Sequence, residues 1–482
     1  MKANGWSCCA LLLAAITVAY AQASGPAVVI DAAAGWRFDF GPGPAASGFT
    51  RVQAGDGYTA ARGYGFDLGF PVQCLDRGGA DPLTQDFCAS KGSFYFSVLA
   101  PRGNYMVTVT FGDPAQAAAA VVKGESRRLM LENVRVAAGD TAVLAFTIDC
   151  RVPGLAAGGE IGLSETERAS LDWDGKLTLE FAGAWPAIAA LEIRPADKPM
   201  QVFLAGNSTV CDWENETETS WGQMFPNWLG AGAAVANYAK SGLTGGSFIS
   251  ERRLTAILER MRIGDRLLVE FAHNDMKGAI PGALATYRAN LGKLLDSARS
   301  HGGIPLCVTP TARRSFDAQG KAQNTFTTSE GDYVAAMKVV ASARNVPVID
   351  LNAMSSRFIE ALGPQGSLAA YFTNDNTHWN DYGAYELSRC VASGLRSADP
   401  VLADLLRTPA GFDPTHPDPV AAFALPLSPD VSLRKPAALV APTSPRPSAR
   451  PGRISLGNPF APVSATGRRL PAPPRRKASP TP

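Results

Sequence analysis

Histidine is scarce in this chain, because only four of its 482 residues carry an imidazole. None of the eight cysteines belongs to a Cys-x-x-Cys pair. Structural zinc sites are built from closely spaced cysteines and histidines. The sequence therefore does not indicate a structural metal site. The choice of a general base among imidazoles is limited to His273, His301, His378 and His416.

Negative charge is absent from the end of the chain. No Asp or Glu follows Asp430, while Arg and Lys recur among Pro, Ser and Ala. Such a composition buries too little apolar surface to fold, so we predict a Pro/Arg-rich disordered tail over 401–482. This tail is either a solvated linker or a weak attachment to an acidic polymer or anionic cell surface. The net charge of the whole chain is +2, which is too near balance to indicate a nucleic-acid partner.

Long apolar runs are missing after the N-terminus. The run near the start extends from Cys8 to Ala19, follows Lys2, and ends in small residues at Ala19 and Ala21 before Gln22. This layout is typical of a cleaved secretory signal peptide over 1–21, with an uncleaved membrane anchor as the alternative. We therefore expect a secreted protein, periplasmic or extracellular, with no membrane span after cleavage.

Signal cleavage removes Cys8 and Cys9 and leaves an even number of cysteines. In an exported chain this permits disulfides, although the pairing of six cysteines has fifteen solutions. Cys74 and Cys88 are the closest pair and lie in a Gly/Asp-rich region, so they are the best candidates for a bridge. Cys307 lies in an apolar run and is expected to be a buried free thiol.

Residues 26–196 show alternating apolar and polar positions. The clearest runs are rich in β-branched and aromatic residues and are bounded by Gly, Pro and Asp, at 104–111, 142–148 and 176–181. The pattern predicts a β-sandwich that is accessory to the chemistry. Its aromatic residues Trp36, Tyr64 and Phe66 either stack on sugar rings at the surface or pack in the core.

The hydrophobic period changes near Met200. Five short apolar strands at 201–204, 233–236, 266–271, 304–308 and 346–350 alternate with helical stretches. Alternating strands and helices predict a parallel sheet with helices on both faces, so residues 199–400 should form a three-layer, flavodoxin-like α/β domain. Ser208 does not sit in a Gly-x-Ser-x-Gly elbow, which disfavours the α/β-hydrolase fold.

Polar residues follow several of these strands. Ser208 comes after the first strand, Asn274 after the third, and a Gly-rich turn over 237–246 lies between them. Asp375 stands three residues before His378 in a later loop. A serine hydroxyl needs an adjacent imidazole and an orienting third group to become a nucleophile. The carboxyl ends of parallel strands are where open α/β sheets build their sites, so the sequence predicts acyl transfer there.

These residues resemble a known family. Four blocks match the SGNH (GDSL-type) esterase superfamily, and longer strings resemble its bacterial rhamnogalacturonan acetylesterase branch over roughly 200–397. The four blocks are Gly206-Asn207-Ser208, Gly242, Asn274 and Asp375-x-x-His378. Asn207 replaces the common Asp of the first block and Ala272 replaces the common Gly of the third. The N-terminal half resembles the jelly-roll, galactose-binding-like module that precedes some of these esterases.

The resemblance implies a role for each matched residue. Ser208 would be the nucleophile, His378 the base, and Asp375 the residue that orients His378. The oxyanion would accept hydrogen bonds from the backbone N–H groups of Ser208 and Gly242 and from the side-chain amide of Asn274. No cofactor would be needed.

The expected partner is an acetylated pectic polysaccharide or oligosaccharide. Three further residues are candidates for contact with it. His273 either packs in the protein or touches the substrate, and Arg313 and Arg314 either bind uronate carboxylates or belong to a solvated loop. A lipase or arylesterase of the same superfamily is one alternative, and a non-catalytic glycan-binding protein is the other. If the sandwich is only accessory, a fragment spanning roughly 200–400 should still hydrolyse a small ester.

Overall fold

Alternating apolar residues form two packed β-sheets in the first half of the chain, as the period-two pattern predicts. The computed structural model describes residues 35–278, 280–407 and 411–429. The predicted signal peptide at 1–21, residues 26–34 of the predicted sandwich, and the tail beyond 429 lie outside the described residues. The strands before residue 200 are β1 (Trp36–Phe40), β2 (Thr50–Val52), β3 (Tyr64–Gly69), β4 (Gln73–Asp76), β5 (Asp86–Ala89), β6 (Phe94–Leu99), β7 (Gly103–Phe111), β8 (Ala118–Gly124), β9 (Arg128–Val136), β10 (Ala142–Cys150), β11 (Lys176–Trp185) and β12 (Ile188–Pro195).

The two sheets enclose an aromatic core. One sheet has the order β10-β7-β12-β1-β2, with β5 and β4 attached to β12, and the other has the order β3-β6-β11-β8-β9. Tyr64 and Phe66 pack against rings from both sheets. The Tyr64 ring centroid lies 4.9 Å from that of Phe38, and the Phe66 ring centroid lies 5.5 Å from that of Phe96. Trp36 lies 5.8 Å from the Tyr105 ring. The packing interpretation of these aromatics is therefore correct.

A disulfide joins Cys74 to Cys88 on adjacent strands β4 and β5, which confirms the predicted bridge. Four further cysteines in the described residues are free and buried, namely Cys150, Cys211, Cys307 and Cys390. The prediction for Cys307 is therefore confirmed as well. Burial raises the pKa of the Cys307 thiol to about 12, so this thiol stays protonated and packs as a small apolar side chain.

The second half of the chain forms a parallel sheet with the strand order β14-β13-β15-β16-β19. Its strands are β13 (Met200–Ala205), β14 (Ala233–Asn237), β15 (Arg266–Val269), β16 (Ile304–Val308) and β19 (Val348–Ile349), and a small hairpin adds β17 (Thr327–Thr328) and β18 (Gly331–Asp332). All five predicted strands are present. Because β13 lies between β14 and β15, their three carboxyl ends are neighbours at one edge of the sheet.

Helices connect these strands. They are α1 (Glu165–Ala169, before β11), α2 (Trp221–Met224), α3 (Gly245–Ser250), α4 (Arg253–Leu258), α5 (Ala283–Ser300), α6 (Tyr333–Ser342), α7 (Leu351–Gly366), α8 (Asp381–Ala398) and α9 (Pro400–Ala403). Asn380 caps α8 by accepting a hydrogen bond from the Gly383 N–H, so α8 begins just after the Asp375 and His378 loop. Among the described residues, no helix is long and apolar enough to span a bilayer.

The sandwich and the α/β domain share a hydrophobic cluster. Val121, Leu129 and Ala182 of the sandwich belong to the same buried cluster as Val202 and Trp221 of the α/β domain. Both halves therefore lie in one compact unit of the described chain. The sequence pattern predicted two separate cores and contained no sign of this shared one.

The folded chain continues past residue 400, where we predicted a disordered tail. Residues 401–407 and 411–429 pack on both halves, with Leu402 buried and Phe412 and Phe423 lying against the shared cluster. Lys123 of the sandwich donates to the Pro426 carbonyl at 2.7 Å and to Ser428 Oγ at 2.8 Å. A few apolar anchors among many Pro and Ala residues suffice to order this segment, and average composition does not reveal them.

Candidate active site

Ser208 lies in the turn that leaves strand β13 at the carboxyl edge of the sheet. The Asn207 side chain accepts from the Thr209 backbone N–H at 3.1 Å, and the Thr209 hydroxyl donates to Glu270 at 2.6 Å. Asn207 and Thr209 are almost completely buried, and Ser208 itself is only 5% exposed. The turn that presents the serine is thus fixed by buried hydrogen bonds on both sides of it.

Ser208, His378 and Asp375 form a continuous chain of hydrogen bonds. Ser208 Oγ lies 2.9 Å from His378 Nε2, and His378 Nδ1 lies 2.8 Å from Asp375 Oδ2. With Nδ1–H donated to Asp375, Nε2 is free to accept the serine proton. The His378 and Thr377 backbone N–H groups donate to Asp375 Oδ1. This is the arrangement that activates a serine hydroxyl for attack on an ester.

Hydrogen bonds keep Asp375 ionised. Burial alone would raise the pKa of Asp375, but the hydrogen bonds from the His378 backbone, the His378 ring and the Thr377 backbone outweigh it. The pKa of this carboxyl therefore lies below its ordinary value. An ionised carboxylate next to Nδ1 stabilises the positive charge that the imidazole acquires when it accepts a proton.

A second carboxylate, which the sequence did not indicate, faces the same imidazole. Glu218 Oε1 lies 3.6 Å from His378 Nδ1, on the loop that follows the nucleophile. Burial raises the pKa of Glu218, the positive imidazole opposes this rise, and Asp375 adds to it. On the same loop, Trp213 donates from its indole nitrogen to the Ser208 carbonyl at 2.9 Å. Both residues lie in an acid-rich segment whose composition resembles an ordinary solvated loop.

The predicted oxyanion donors come from neighbouring strand ends. Asn274 follows β15 and donates from its side-chain amide to the Leu243 carbonyl at 3.0 Å, so it lies beside the residue after Gly242. Gly242 follows β14 and has a φ of +85°, a conformation that favours glycine. The Lys240 N–H donates to the Gly206 carbonyl at 3.3 Å, which ties this loop to the nucleophile turn. The structure therefore brings the loops of Ser208, Gly242 and Asn274 together.

Ala272, which replaces the common Gly, has an unusual backbone conformation. Ala272 is completely buried and has a φ of 146°, which residues with a side chain rarely adopt. This explains physically why Gly is common at the position. The neighbouring Asp275 accepts from the Gly245 N–H at 2.9 Å, and burial raises the pKa of its carboxyl to about 6. This bond is a second tie between the Asn274 loop and the Gly242 loop.

The structure places His273 in the interior, which agrees with packing, one of the two roles predicted for it. His273 is 2% exposed, its Nε2 lies 3.1 Å from the Thr311 carbonyl, and its ring packs against Phe326. Burial, together with the positive charges of Arg313 and His378, holds the pKa of His273 well below its ordinary value. A neutral, buried imidazole is a packing residue here, because the chain turns inward directly after Ala272.

Arg313 and Arg314 are also committed to the protein. Arg313 donates to the Thr325 and His273 carbonyls, both at 3.2 Å, and its guanidinium stacks on Phe326. Arg314 donates to Ser367 and Asn376, both at 3.2 Å, and to the Pro364 carbonyl. These bonds hold loops around the site together. The prediction that the two arginines bind uronates is therefore not supported by their geometry.

The site contains no visible place for a metal. Within 35–278, 280–407 and 411–429, no group of three or more His, Cys, Asp or Glu side chains is arranged to hold an ion. The site combines a hydroxyl, an imidazole and two carboxylates with nearby N–H groups, and these are the groups used for ester cleavage through an acyl-enzyme.

Comparison with known proteins agrees with this chemistry. Residues 204–385 match the GDSL-like lipase/acylhydrolase family, and residues 36–148 match the β-agarase/YXIM esterase-like, galactose-binding domain-like family. Rhamnogalacturonan acetylesterase RhgT of Bacillus subtilis is 39% identical over 224 residues, which cover 43% of this chain and 95% of RhgT. The uncharacterized esterase YxiM of the same bacterium is 28% identical over 376 residues, which cover 75% of this chain and 90% of YxiM. The crystal structure of YxiM is 25% identical, with a TM-score of 0.41 over 75% of this chain and 98% of that one.

The parallel sheet and the polar site at its carboxyl edge define an acylhydrolase, an enzyme that cleaves esters. The chain belongs to the GDSL-like lipase/acylhydrolase family, the SGNH hydrolases, and carries an N-terminal galactose-binding-like domain. The expected superfamily is thereby confirmed, and the non-catalytic alternative is excluded.

Proposed function

We propose that this esterase is a secreted carbohydrate esterase that removes O-acetyl groups from pectin, with rhamnogalacturonan as its substrate. The reaction rests on one observation above all, the hydrogen-bonded chain from Ser208 Oγ through His378 to Asp375. The substrate class is supported by the 39% identity to RhgT, whose name specifies rhamnogalacturonan. Secretion rests on the signal-like N-terminus at 1–21. The strand order of the parallel sheet also supports a three-layer, flavodoxin-like description of the catalytic domain.

The proposed mechanism has two stages. Ser208 Oγ attacks the acetyl carbonyl carbon and gives its proton to His378 Nε2, and the carbonyl oxygen becomes an oxyanion. Ser208 N–H, Gly242 N–H and the Asn274 amide donate to that oxyanion. The bond between the carbonyl carbon and the sugar oxygen then breaks, and this oxygen takes the proton from His378 Nε2 and leaves as the sugar hydroxyl.

Water completes the cycle. His378 removes a proton from a water molecule, which attacks the acetyl carbon of the acetyl-enzyme. The second oxyanion collapses, Ser208 recovers its proton from His378, and acetate leaves. Asp375 and Glu218 face the imidazolium in both stages, because both lie beside Nδ1.

Acetate release from a panel of substrates tests this proposal. The panel comprises acetylated rhamnogalacturonan, acetylated homogalacturonan, acetylated xylan, long-chain p-nitrophenyl esters and aryl acetates, with Ser208→Ala as the inactive control. We expect the highest kcat/KM on acetylated rhamnogalacturonan. A preference for long-chain or aryl esters would instead identify a lipase or arylesterase of the same family.

A further inference from the structure

A cleft of about 350 Å³ opens between two distant parts of the chain, which form its walls. One wall consists of residues within 151–173, the segment that connects β10 to β11 of the sandwich. The other wall consists of residues within 211–215 and 237–241, the loops after β13 and β14. The sandwich therefore contributes directly to the surroundings of the active site.

The cleft adjoins the catalytic groups through two residues of its second wall. Trp213 donates to the Ser208 carbonyl at 2.9 Å, and its ring meets the His378 ring edge-on with centroids 5.9 Å apart. Ser241, which also lines the cleft, directly precedes Gly242. A chain of sugars with one acetyl group at Ser208 would thus place a neighbouring sugar in the cleft.

The lining suits both the apolar C–H face and the hydroxyl groups of a sugar ring. Trp213 from the catalytic side is partly exposed and provides aromatic surface, which packs against the C–H face of a sugar. Trp173 from the sandwich side is buried beneath Arg151 and supports this wall from within. Thr166 provides an exposed hydroxyl group, which both donates and accepts hydrogen bonds. The Ser164 and Ser170 hydroxyls, which also line the cleft, donate to Glu167. A few polar groups set in an aromatic cleft are typical of small-molecule sites.

The charges of the cleft do not suit a uronate. Its lining cations are Arg151 and Lys240, and both are engaged by carboxylates. Arg151 contacts Asp172 at 2.8 Å and Asp212 at 2.9 Å. Lys240 contacts Glu251 at 3.3 Å, and Glu167 lies 3.6 Å away. Among the described lining residues, no cation remains unpaired to receive the carboxylate of an acidic sugar.

We propose that this cleft is a subsite for an uncharged sugar residue adjacent to the acetylated residue, and that the sandwich segment 151–173 determines this specificity. The inference rests on the proposed carbohydrate esterase activity, which it refines. It also assigns the N-terminal domain a part in substrate binding at the active site.

Thr166→Trp tests the subsite by filling it. Thr166 is exposed on α1 and lines the cleft, so an indole at this position should occupy the space of a sugar without entering the core. We expect the ratio of kcat/KM on acetylated rhamnogalacturonan oligosaccharides to kcat/KM on p-nitrophenyl acetate to fall about tenfold or more, through KM, since about 1.4 kcal/mol of binding corresponds to tenfold. Glu165→Trp is the matched control, because Glu165 is exposed on the same helix outside the cleft. If the ratio of the two kcat/KM values is the same in Thr166→Trp and in Glu165→Trp, the proposal is wrong.

Calorimetry on the Ser208→Ala protein separates this inference from the proposed function. The ligands are unacetylated rhamnogalacturonan oligosaccharides, which contain a neutral sugar, and oligogalacturonides, which do not. We expect the former to bind more tightly, and Thr166→Trp in the Ser208→Ala background to weaken that binding about tenfold. If the wild-type enzyme releases no acetate from any glycan while this binding persists, the proposed function fails and the subsite stands. If neither oligosaccharide binds, or both bind equally, the subsite proposal is wrong.

Discussion

Arg127 of the sandwich lies 3.0 Å from Asp381, the first residue of α8, through Nη2 and Oδ1. The same guanidinium makes two hydrogen bonds to the Glu216 carboxylate and donates to the carbonyls of Trp213 and Glu218 at 3.3 and 3.1 Å. One arginine at the tip of the hairpin between β8 and β9 therefore holds two catalytic segments. One is the loop that carries Trp213 and Glu218, and the other is helix α8, which begins just after His378, the proposed catalytic base.

Arg127→Ala should destabilise the protein and impair catalysis together. Arg127 and its partners Glu216 and Asp381 are largely buried. Removal of the cation leaves Asp381 without a partner charge and Glu216 with Lys123 alone, and breaking a buried pair in this way typically costs about 3–5 kcal/mol. We expect a fall of that size in the free energy of unfolding and a lower kcat on p-nitrophenyl acetate. Arg37→Ala is the control, because the Arg37 and Glu192 pair is exposed and should contribute less than about 1 kcal/mol. Equal effects from both substitutions would contradict a holding role for Arg127.

The fragment spanning roughly 200–400 should fold poorly, and the expectation that it hydrolyses a small ester holds only if it folds. Without the sandwich it would expose the apolar surface that Val121, Leu129 and Ala182 cover, and it would lose Arg127. The interface between the sandwich and the α/β domain is part of the hydrophobic core of this chain. We expect aggregation or a lower Tm for the fragment by calorimetry, whereas a stable, fully active fragment would restore the accessory interpretation.

Sequence predicted the central elements because each leaves a local signature. Apolar runs with short polar turns mark β13 through β16, and residue type together with strand-end position marks Ser208 and Asn274. The sequence did not indicate the roles of Arg127 and Glu218, because neither residue has such a local signature. An arginine in a hairpin turn and a glutamate in an acidic loop are ordinary surface residues until tertiary contacts bury them. For the same reason, the sequence offered Arg313 and Arg314 as ligand contacts, whereas in the structure both side chains donate hydrogen bonds to neighbouring loops.

Glu218→Gln should shift the pH dependence of the enzyme. A carboxylate 3.6 Å from His378 Nδ1 stabilises the imidazolium, so its removal should move the acid limb of kcat/KM to lower pH, by about one unit. Asp375→Asn should cost far more, about 10⁴-fold in kcat, because it also disturbs the tautomer of His378. The measurement is the pH profile of p-nitrophenyl acetate hydrolysis for both variants. An unchanged acid limb in Glu218→Gln would show that Glu218 is only structural.

Asn274→Ala should lower kcat on p-nitrophenyl acetate by about 10²–10³, the usual cost of one oxyanion donor. Its control is Lys277→Ala, because Lys277 donates to Asn274 Oδ1 at 2.7 Å without reaching the proposed oxyanion. That substitution should leave kcat within about tenfold of the wild type, since the amide stays bonded to Leu243. A small effect of Asn274→Ala on kcat, measured at saturating ester, would remove Asn274 from the proposed mechanism.

Glu270 should make the stability of the enzyme fall as the pH rises from acid to neutral. Burial raises the pKa of Glu270 from its ordinary 4.5 to about 7, against hydrogen bonds from Thr209, Trp221 and the Thr311 backbone. His273 is 4.0 Å away, but its own pKa is low, so it supplies no positive charge to oppose this at neutral pH.

The sign of the effect follows from the direction of this shift. A carboxyl group whose pKa is higher in the folded state contributes stability below pH 4.5 that is lost as the pH passes about 7. The shift corresponds to about 3 kcal/mol of unfolding free energy. In the Glu270→Gln variant, the decrease in the free energy of unfolding between pH 4.5 and about 7 should be smaller by about that amount. Urea unfolding at several pH values measures this decrease. Exposed Glu165→Gln should leave the profile unchanged. Because burial also raises the pKa of Asp275, to about 6, part of the decrease in stability should persist in Glu270→Gln. A pH profile identical to that of the wild type would show that the Glu270 carboxyl does not cause the decrease.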